Sequence, residues 1–177
     1  ATLKELGRLE EAEESLRQAI TLKANYAEAH NNLGATLQDL GRLEEAEESF
    51  RQAIKLNPDN AEAHNNLGAI LQDLGRLEEA KSSFGEAIAL KSELAEAHQN
   101  LVSMKTFDER DKQFLKMQEL YLDESCSEDE RCRLGFALGK ASEDLKDFEQ
   151  AFNYYSKGNA LRKKLLNYHI SQDIALF

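Results

Sequence analysis

A segment of this chain occurs twice at a separation of 34 residues, and this repetition constrains the fold more than any other feature. AEAHNNLGATLQDLGRLEEA, residues 27–46, returns at 61–80 with one difference, Thr36 against Ile70. The frame gives units at 27–60 and 61–94, a new start at Ala95, and the tail of an earlier, incomplete unit in residues 1–26. A period of this length indicates a stack of similar units, each packed on its neighbours.

Each unit has the apolar spacing of two helices. The apolar residues lie three or four positions apart in two stretches: Ala29, Leu33, Leu37 and Leu40, then Leu43, Ala46, Phe50, Ala53 and Ile54. Gly41 separates the stretches, where glycine tolerates a left-handed turn. Asn57-Pro58-Asp59-Asn60 then ends the second helix, because proline cannot continue it. A unit is therefore predicted to be a helix, a tight turn and an antiparallel helix.

The residues at these packing positions resemble the tetratricopeptide repeat family. They are Leu33, Gly34, Ala46, Phe50, Ala53 and Pro58 in one unit, and Leu67, Gly68, Ala80, Phe84 and Ala87 in the next. The resemblance implies an all-α solenoid, a right-handed superhelix of antiparallel helix pairs that acts as a non-catalytic protein-binding scaffold. Two departures are the histidines His30, His64 and His98 at the family's aromatic position, and Ser92 at the proline position.

The C-terminal half departs from the frame. Residues 95–125 predict a diverged unit with an altered second helix, and Ser127–Glu130 has the form of a capping box. A further unit, 126–160, is shifted by three residues. Residues 161–177 predict a capping helix, with Leu161, Leu165, Leu166, Ile170 and Ile174 as its apolar residues, leading to a downstream domain.

Residues 136–168 carry a second resemblance, to the segment that precedes a sulfotransferase-like domain in bacterial repeat proteins. It implies that this chain, itself not expected to be an enzyme, is the front of a longer sulfotransferase-like protein.

Composition excludes several classes of function. The net charge of −11 argues against nucleic acid, which attracts clustered Lys and Arg. No apolar run is long enough to span a membrane and no signal peptide begins the chain, so we expect a cytoplasmic protein. Cys126 and Cys132 are expected to be free thiols. No cofactor is expected, and no metal either, because His30, His64 and His98 would lie about 10 Å apart, too far to share one ion.

Polar residues that also repeat are the candidate ligand contacts. Asn32, Asn66 and Asn100 precede the core residue of successive first helices and are predicted to form a column, flanked by Asn31, Asn65, Gln99, Gln38, Asp39, Gln72 and Asp73. The column is similar to the asparagine ladder of O-linked N-acetylglucosamine transferases, which implies a grip on the peptide backbone. Glu28, Asp39, Glu62 and Asp73 border this groove, so the predicted partner is a neutral or basic peptide.

Two alternatives remain open. Recent duplication of the unit would explain the repeated asparagines without a ligand. The chain could instead be a structural self-association module, with Leu3, Leu6, Leu9 and Leu16 of the incomplete first repeat forming a homodimer contact.

Overall fold

The computed structural model describes the backbone of residues 3–167 and the side chains of residues 7–167, and every regular element in this part of the chain is an α-helix. The helices are α1 (Leu3–Leu22), α2 (Ala27–Asp39), α3 (Leu43–Leu56), α4 (Ala61–Asp73), α5 (Leu77–Leu90), α6 (Ala95–Ser103), α7 (Lys112–Leu122), α8 (Glu128–Asp144) and α9 (Phe148–Leu165). They form two compact units, which divide between Ser92 and Glu93. The all-α class is confirmed.

In the first unit, glycine turns join α2 to α3 and α4 to α5. Gly41 and Gly75 have φ of 75° and 76°, the left-handed conformation predicted from the sequence for Gly41. Arg42 N donates to Leu37 O at 2.9 Å, which satisfies a carbonyl that the end of α2 leaves without a helical partner. The helix–turn–helix reading of the repeat is confirmed.

The two helices of each pair pack closely because one of them carries a glycine opposite an aromatic ring. A Cβ atom added at Gly34 would lie 2.7 Å from Phe50 Cε1, and one added at Gly68 would lie 2.7 Å from Phe84 Cδ1. Both phenylalanines are completely buried. The ring therefore occupies the space that the missing side chain leaves, as in other close-packed protein interiors.

The second unit begins with a pair that differs from these hairpins. α6 has nine residues, and both α6 and α7 pack chiefly on α8 instead of on each other. Phe107, Phe114, Met117 and Leu138 are buried in the core that these helices share. This is the form taken by the diverged segment 95–125.

The segment between α6 and α7 is fastened to α8 and to the start of α9. Phe107 N donates to Asp144 Oδ2 at 3.1 Å, and Arg110 Nη2 lies 2.7 Å from Asp147 Oδ2. Burial by itself raises the pKa of Asp111, but hydrogen bonds from Lys105 and from Phe114 N bring that pKa below its usual value.

The α8–α9 pair returns to the repeat geometry. The predicted capping box is confirmed, since Glu130 N donates to Ser127 Oγ and Ser127 N donates to the Glu130 carboxylate. A Cβ atom at Gly139 would lie 2.7 Å from Tyr155 Cδ1, the same relation as Gly34 to Phe50. Lys146, with φ of 61°, takes the left-handed position that Gly41 and Gly75 hold.

The predicted start of a capping helix at Leu161 is wrong. α9 continues without a break to Leu165, and Asn167, with φ of 48°, follows its end. Leu165 and Leu166 are exposed. Ile170 and Ile174, the other residues of that prediction, lie outside the described residues.

Candidate functional site

Amide side chains of α2 and α4 meet across the first unit. Asn66 Nδ2 donates to Asn31 Oδ1 at 3.3 Å, so a hydrogen bond joins the first helices of two successive repeats. We call those predicted groove residues of these two helices that remain accessible the amide face. Its members are Asn31, Asn32, Gln38, Asp39, Asn66, Gln72 and Asp73.

The predicted groove residues differ in their solvent accessibility. Asn32, Asp39 and Asp73 are exposed, and Asn31, Gln38, Asn66 and Gln72 are half-buried. Asn65 is only 3% exposed. The placement of Asn65 on the ligand surface is therefore corrected: a side chain buried to this degree cannot reach a ligand while the helix keeps its packing. Sequence identity to Asn31 concealed this difference.

Gln99 and Asn100 lie on α6 and are half-buried there. The backbone oxygen of Asn100 accepts a hydrogen bond from Ser103 Oγ at 2.6 Å. Both residues belong to the second unit, so the amide face consists of first-unit residues only.

Sequence reasoning missed a repeated network of ion pairs between the second helices. Arg42 lies 2.6 Å from Glu13 and 2.6 Å from Glu45, and Arg17 contacts the same two carboxylates at 2.8 and 3.3 Å. The set recurs 34 residues later as Glu47, Arg51, Arg76 and Glu79. The signal was present in the sequence as acids and arginines that recur at the repeat period.

The network perturbs the ionisation of its members. Hydrogen bonding to Arg42 is the main cause that lowers the pKa of Glu45, and Arg76 lowers the pKa of Glu79 in the same way. The pKa values of Arg42 and Arg76 are raised, chiefly by their hydrogen bonds to Glu45 and Glu79. The charged forms of all four groups are therefore favoured in the folded protein.

The three histidines have different surroundings. His30 and His64 are half-buried, whereas His98 is 1% exposed. His64 Nε2 donates to Pro58 O at 2.9 Å, a bond that ties α4 to the loop preceding it. Among the described residues, no three His, Cys, Asp or Glu side chains are placed to hold a metal ion.

Two further sequence predictions can be compared with the structure. Cys126 and Cys132 are free thiols, as predicted, and Cys132 Sγ donates to Gly158 O. Burial is the main cause that raises the pKa of both thiols. Within residues 3–167, none of the helices combines the length and the apolar character that crossing a bilayer requires.

Comparisons with solved structures agree with this fold. The crystal structure of MamA superimposes with a TM-score of 0.63 at 22% identity, covering 93% of this chain and 95% of MamA. BtubC (BKLC) from P. vanneervenii gives 0.69 at 18% identity, covering 94% and 78%. A Thermobaculum terrenum O-GlcNAc transferase mutant gives 0.55 at 21% identity, covering 77% of this chain and 24% of that one. These identities support the fold alone, and a search of curated proteins found no match.

Repeated helix pairs with a glycine–aromatic contact define a helical-repeat scaffold, a class that is typically non-catalytic and suited to protein–protein interaction. A sequence profile described as TPR repeat matches residues 2–41 and 37–75, and one described as Tetratricopeptide repeat matches 61–94. Together they cover slightly more than half of the chain. The chain belongs to the tetratricopeptide repeat family.

Proposed function

We propose that the first unit binds an extended segment of a partner protein on its amide face. The observation that carries this proposal is the Asn66–Asn31 hydrogen bond, which orients side-chain amides of two successive repeats on one surface. Asn32 is exposed beside them. Packing of the helix pairs does not require these polar groups, so a ligand gives them a role.

The chemistry of an amide suits the backbone of a peptide. Each asparagine side chain offers a donor and an acceptor, so it can bond a peptide unit whatever side chain that unit carries. Successive repeats place such groups about 10 Å apart, and an extended chain advances about 3.3 Å per residue. Asn32 and Asn66 would thus contact every third residue of the bound segment.

Charge favours a neutral or basic segment. Glu28 and Asp39 on α2 and Glu62 and Asp73 on α4 are all exposed. A negatively charged segment would be repelled, whereas lysine or arginine side chains would be attracted and would bind more weakly in high salt. Each backbone hydrogen bond contributes about 1 kcal/mol, so the affinity expected from the amides alone is low.

A peptide array tests this function. Short synthetic peptides of positive, neutral and negative net charge would be probed with the wild-type chain and with the double variant Asn32→Ala/Asn66→Ala. We expect binding to neutral and positive peptides to fall by about tenfold, the effect of about 1.4 kcal/mol. Asn153→Ala/Asn159→Ala, which removes two exposed amides of α9, is the matched control. Equal binding by both double variants would remove the amide face from the proposal.

The resemblance of residues 136–168 extends the proposal to the whole protein: the bound segment would belong to a substrate of a following sulfotransferase-like domain. The first test is the reading frame beyond residue 177. If it encodes such a domain, Asn32→Ala/Asn66→Ala should raise the KM for a protein acceptor and leave kcat for a small acceptor unchanged. A frame without that domain would refute this extension and leave peptide binding to be judged separately.

A further inference from the structure

Two clefts in the first unit are copies of each other, one repeat apart. The first lies between α1, α2 and α3 and has a volume of about 510 Å³. The second lies between α3, α4 and α5 and has a volume of about 370 Å³. Corresponding residues line both clefts: Ile20, His30 and Leu33 in the first, and Ile54, His64 and Leu67 in the second. We call them the His30 cleft and the His64 cleft.

The clefts are apolar at their base and large enough for a ring. Leu33 lines the His30 cleft and Leu67 lines the His64 cleft, and at 4% and 6% exposure these leucines lie at the cleft floor. An apolar cavity of about 150 Å³ is sufficient to bind benzene in another protein. Both clefts exceed that volume, and both are within the usual size range of small-ligand pockets.

An arginine is held in place in the wall of each cleft. Arg17 lies 2.8 Å from Glu13 and 3.3 Å from Glu45, and it lines the His30 cleft. Arg51 lines the His64 cleft and is fixed in the same way, at 2.8 Å from Glu47 and 3.4 Å from Glu79. A guanidinium group so oriented is attracted to the face of an aromatic ring, and little side-chain entropy remains to be lost.

The remaining lining residues indicate whether the ligand is charged. The His30 cleft contains Thr21, Glu48 and Gln52, and the corresponding positions of the His64 cleft are Lys55, Ser82 and Glu86. A charged ligand that suits one cleft is therefore poorly matched to the other. The features common to both, an apolar floor and a fixed arginine, suit a neutral aromatic group.

We propose that each cleft binds an aromatic side chain of a partner protein, with the ring on the isoleucine and leucine and its face against the arginine. The clefts lie one repeat apart, about 10 Å, so one partner with two aromatic residues could occupy both. The lining residues of the clefts are distinct from the amide face, and this site does not depend on the peptide function proposed above.

The absence of tryptophan from this chain makes a direct test available. N-acetyl-tryptophanamide would be titrated into the protein, with indole fluorescence and backbone amide NMR shifts as readouts. We expect half-saturation at about 1 mM, with shifts at Ile20, Leu33, Ile54 and Leu67. N-acetyl-leucinamide, which has no ring, should bind about tenfold more weakly. Equal binding of the two probes, or no shift at these four residues, would overturn the proposal.

Variants locate the binding. His30→Trp/His64→Trp fills both clefts from within and should weaken binding at least about tenfold, read by ligand-detected NMR. Arg17→Gln/Arg51→Gln, checked for folding by circular dichroism, should reduce binding of the tryptophan probe and leave the leucine probe unchanged. Asn32→Ala/Asn66→Ala should have no effect on either probe. Unchanged binding of N-acetyl-tryptophanamide in the first two variants would place the ligand outside the clefts.

Discussion

Arg76 Nη1, at the start of α5, lies 2.7 Å from Glu47 Oε1 on α3. Arg42 Nη1 makes the same contact with Glu13 Oε2 at 2.6 Å, 34 residues earlier. Each pair joins the second helices of two successive repeats, and Glu13 and Glu47 are the most sheltered carboxylates of the network, with side chains 14% and 15% exposed. The network therefore contributes to the register between repeats, in addition to keeping their surface charged.

The sequence shows where this repeated ion-pair network ends. The positions 34 residues after Glu47 and Arg51 are Lys81 and Gly85. A lysine ammonium cannot form the ion pair with a guanidinium that a glutamate carboxylate forms. α5 therefore lacks the sheltered carboxylate that Glu13 provides on α1 and Glu47 provides on α3. The last repeat of the first unit is thus chemically different on this side.

Removing the sheltered carboxylate should destabilise the first unit. Glu47→Gln removes the negative charge that Arg51 and Arg76 share, and we expect a loss of about 1 kcal/mol in the free energy of unfolding by urea. Glu48→Gln is the control, because the Glu48 carboxylate forms no ion pair with any described residue. Equal midpoints for the two variants would show that the network does not contribute to stability.

Low pH should weaken the ion-pair network by protonating its glutamates. Because the pKa values of Glu45 and Glu79 lie below the usual 4.5 in the folded protein, their contribution is complete above about pH 4.5 and is lost as the pH falls through the folded-state pKa. Glu45→Gln/Glu79→Gln should therefore lose less stability than wild type between about pH 6 and about pH 3. Urea titrations at both pH values measure this. The control Glu44→Gln/Glu48→Gln should retain the wild-type difference, and a test variant that also retains it would contradict the assignment.

Alanine substitutions at two helical glycines should have opposite effects on stability. Gly34→Ala places a Cβ atom 2.7 Å from Phe50 Cε1, and we expect a loss of about 1–3 kcal/mol from overpacking. Gly85→Ala meets no atom within 4 Å and should stabilise α5 by about 0.5–1 kcal/mol. Thermal and urea unfolding of the two variants give the comparison. Destabilisation by Gly85→Ala would mean that this helix surface is covered.

Lys146 has a left-handed backbone conformation, so a substitution at this position should raise the stability of the protein. Lys146 has φ of 61°, which costs a residue with a side chain about 1 kcal/mol. Lys146→Gly should raise the free energy of unfolding by about 0.5 kcal/mol after the added chain entropy of glycine is subtracted. Lys157→Gly, in the interior of α9, should lower it by about 1 kcal/mol. If both variants lose stability, the lysine conformation is not strained.

Much of the fold could be predicted because the same packing and turn residues recur in successive repeats. Leu33, Phe50 and Ala53 are buried as their helical spacing indicated, and Gly41 turns left-handed as expected. The sequence predicted a shifted last repeat at 126–160 but did not indicate Lys146 as a left-handed turn residue. Nothing in a lysine predicts positive φ; the hydrogen bond from Asp147 N to Ser142 O, which closes the turn, accompanies it.

The candidate site was less predictable, because identical residues at equivalent repeat positions lie in different structural environments. Asn31 and Asn65 are equivalent in the sequence, yet one is half-buried and bonded to Asn66 while the other is 3% exposed. His64 and His98 differ in the same way. Burial depends on which elements cover a position, and that information is not contained in a single repeat. The homodimer through Leu3, Leu6, Leu9 and Leu16 stays a prediction; Leu9 and Leu16 are half-buried, and the other two side chains lie outside the described part.

The sequence by itself determined the period, the helix–turn–helix unit and the packing residues within each pair, because these depend on local spacing, turn chemistry and side-chain size. Tertiary structure decided which amides are accessible, that Glu47 bridges two repeats, and that His30 and His64 line clefts. Each of these depends on contacts between residues about one repeat apart, and the geometry of stacking, not the composition of a unit, sets those contacts.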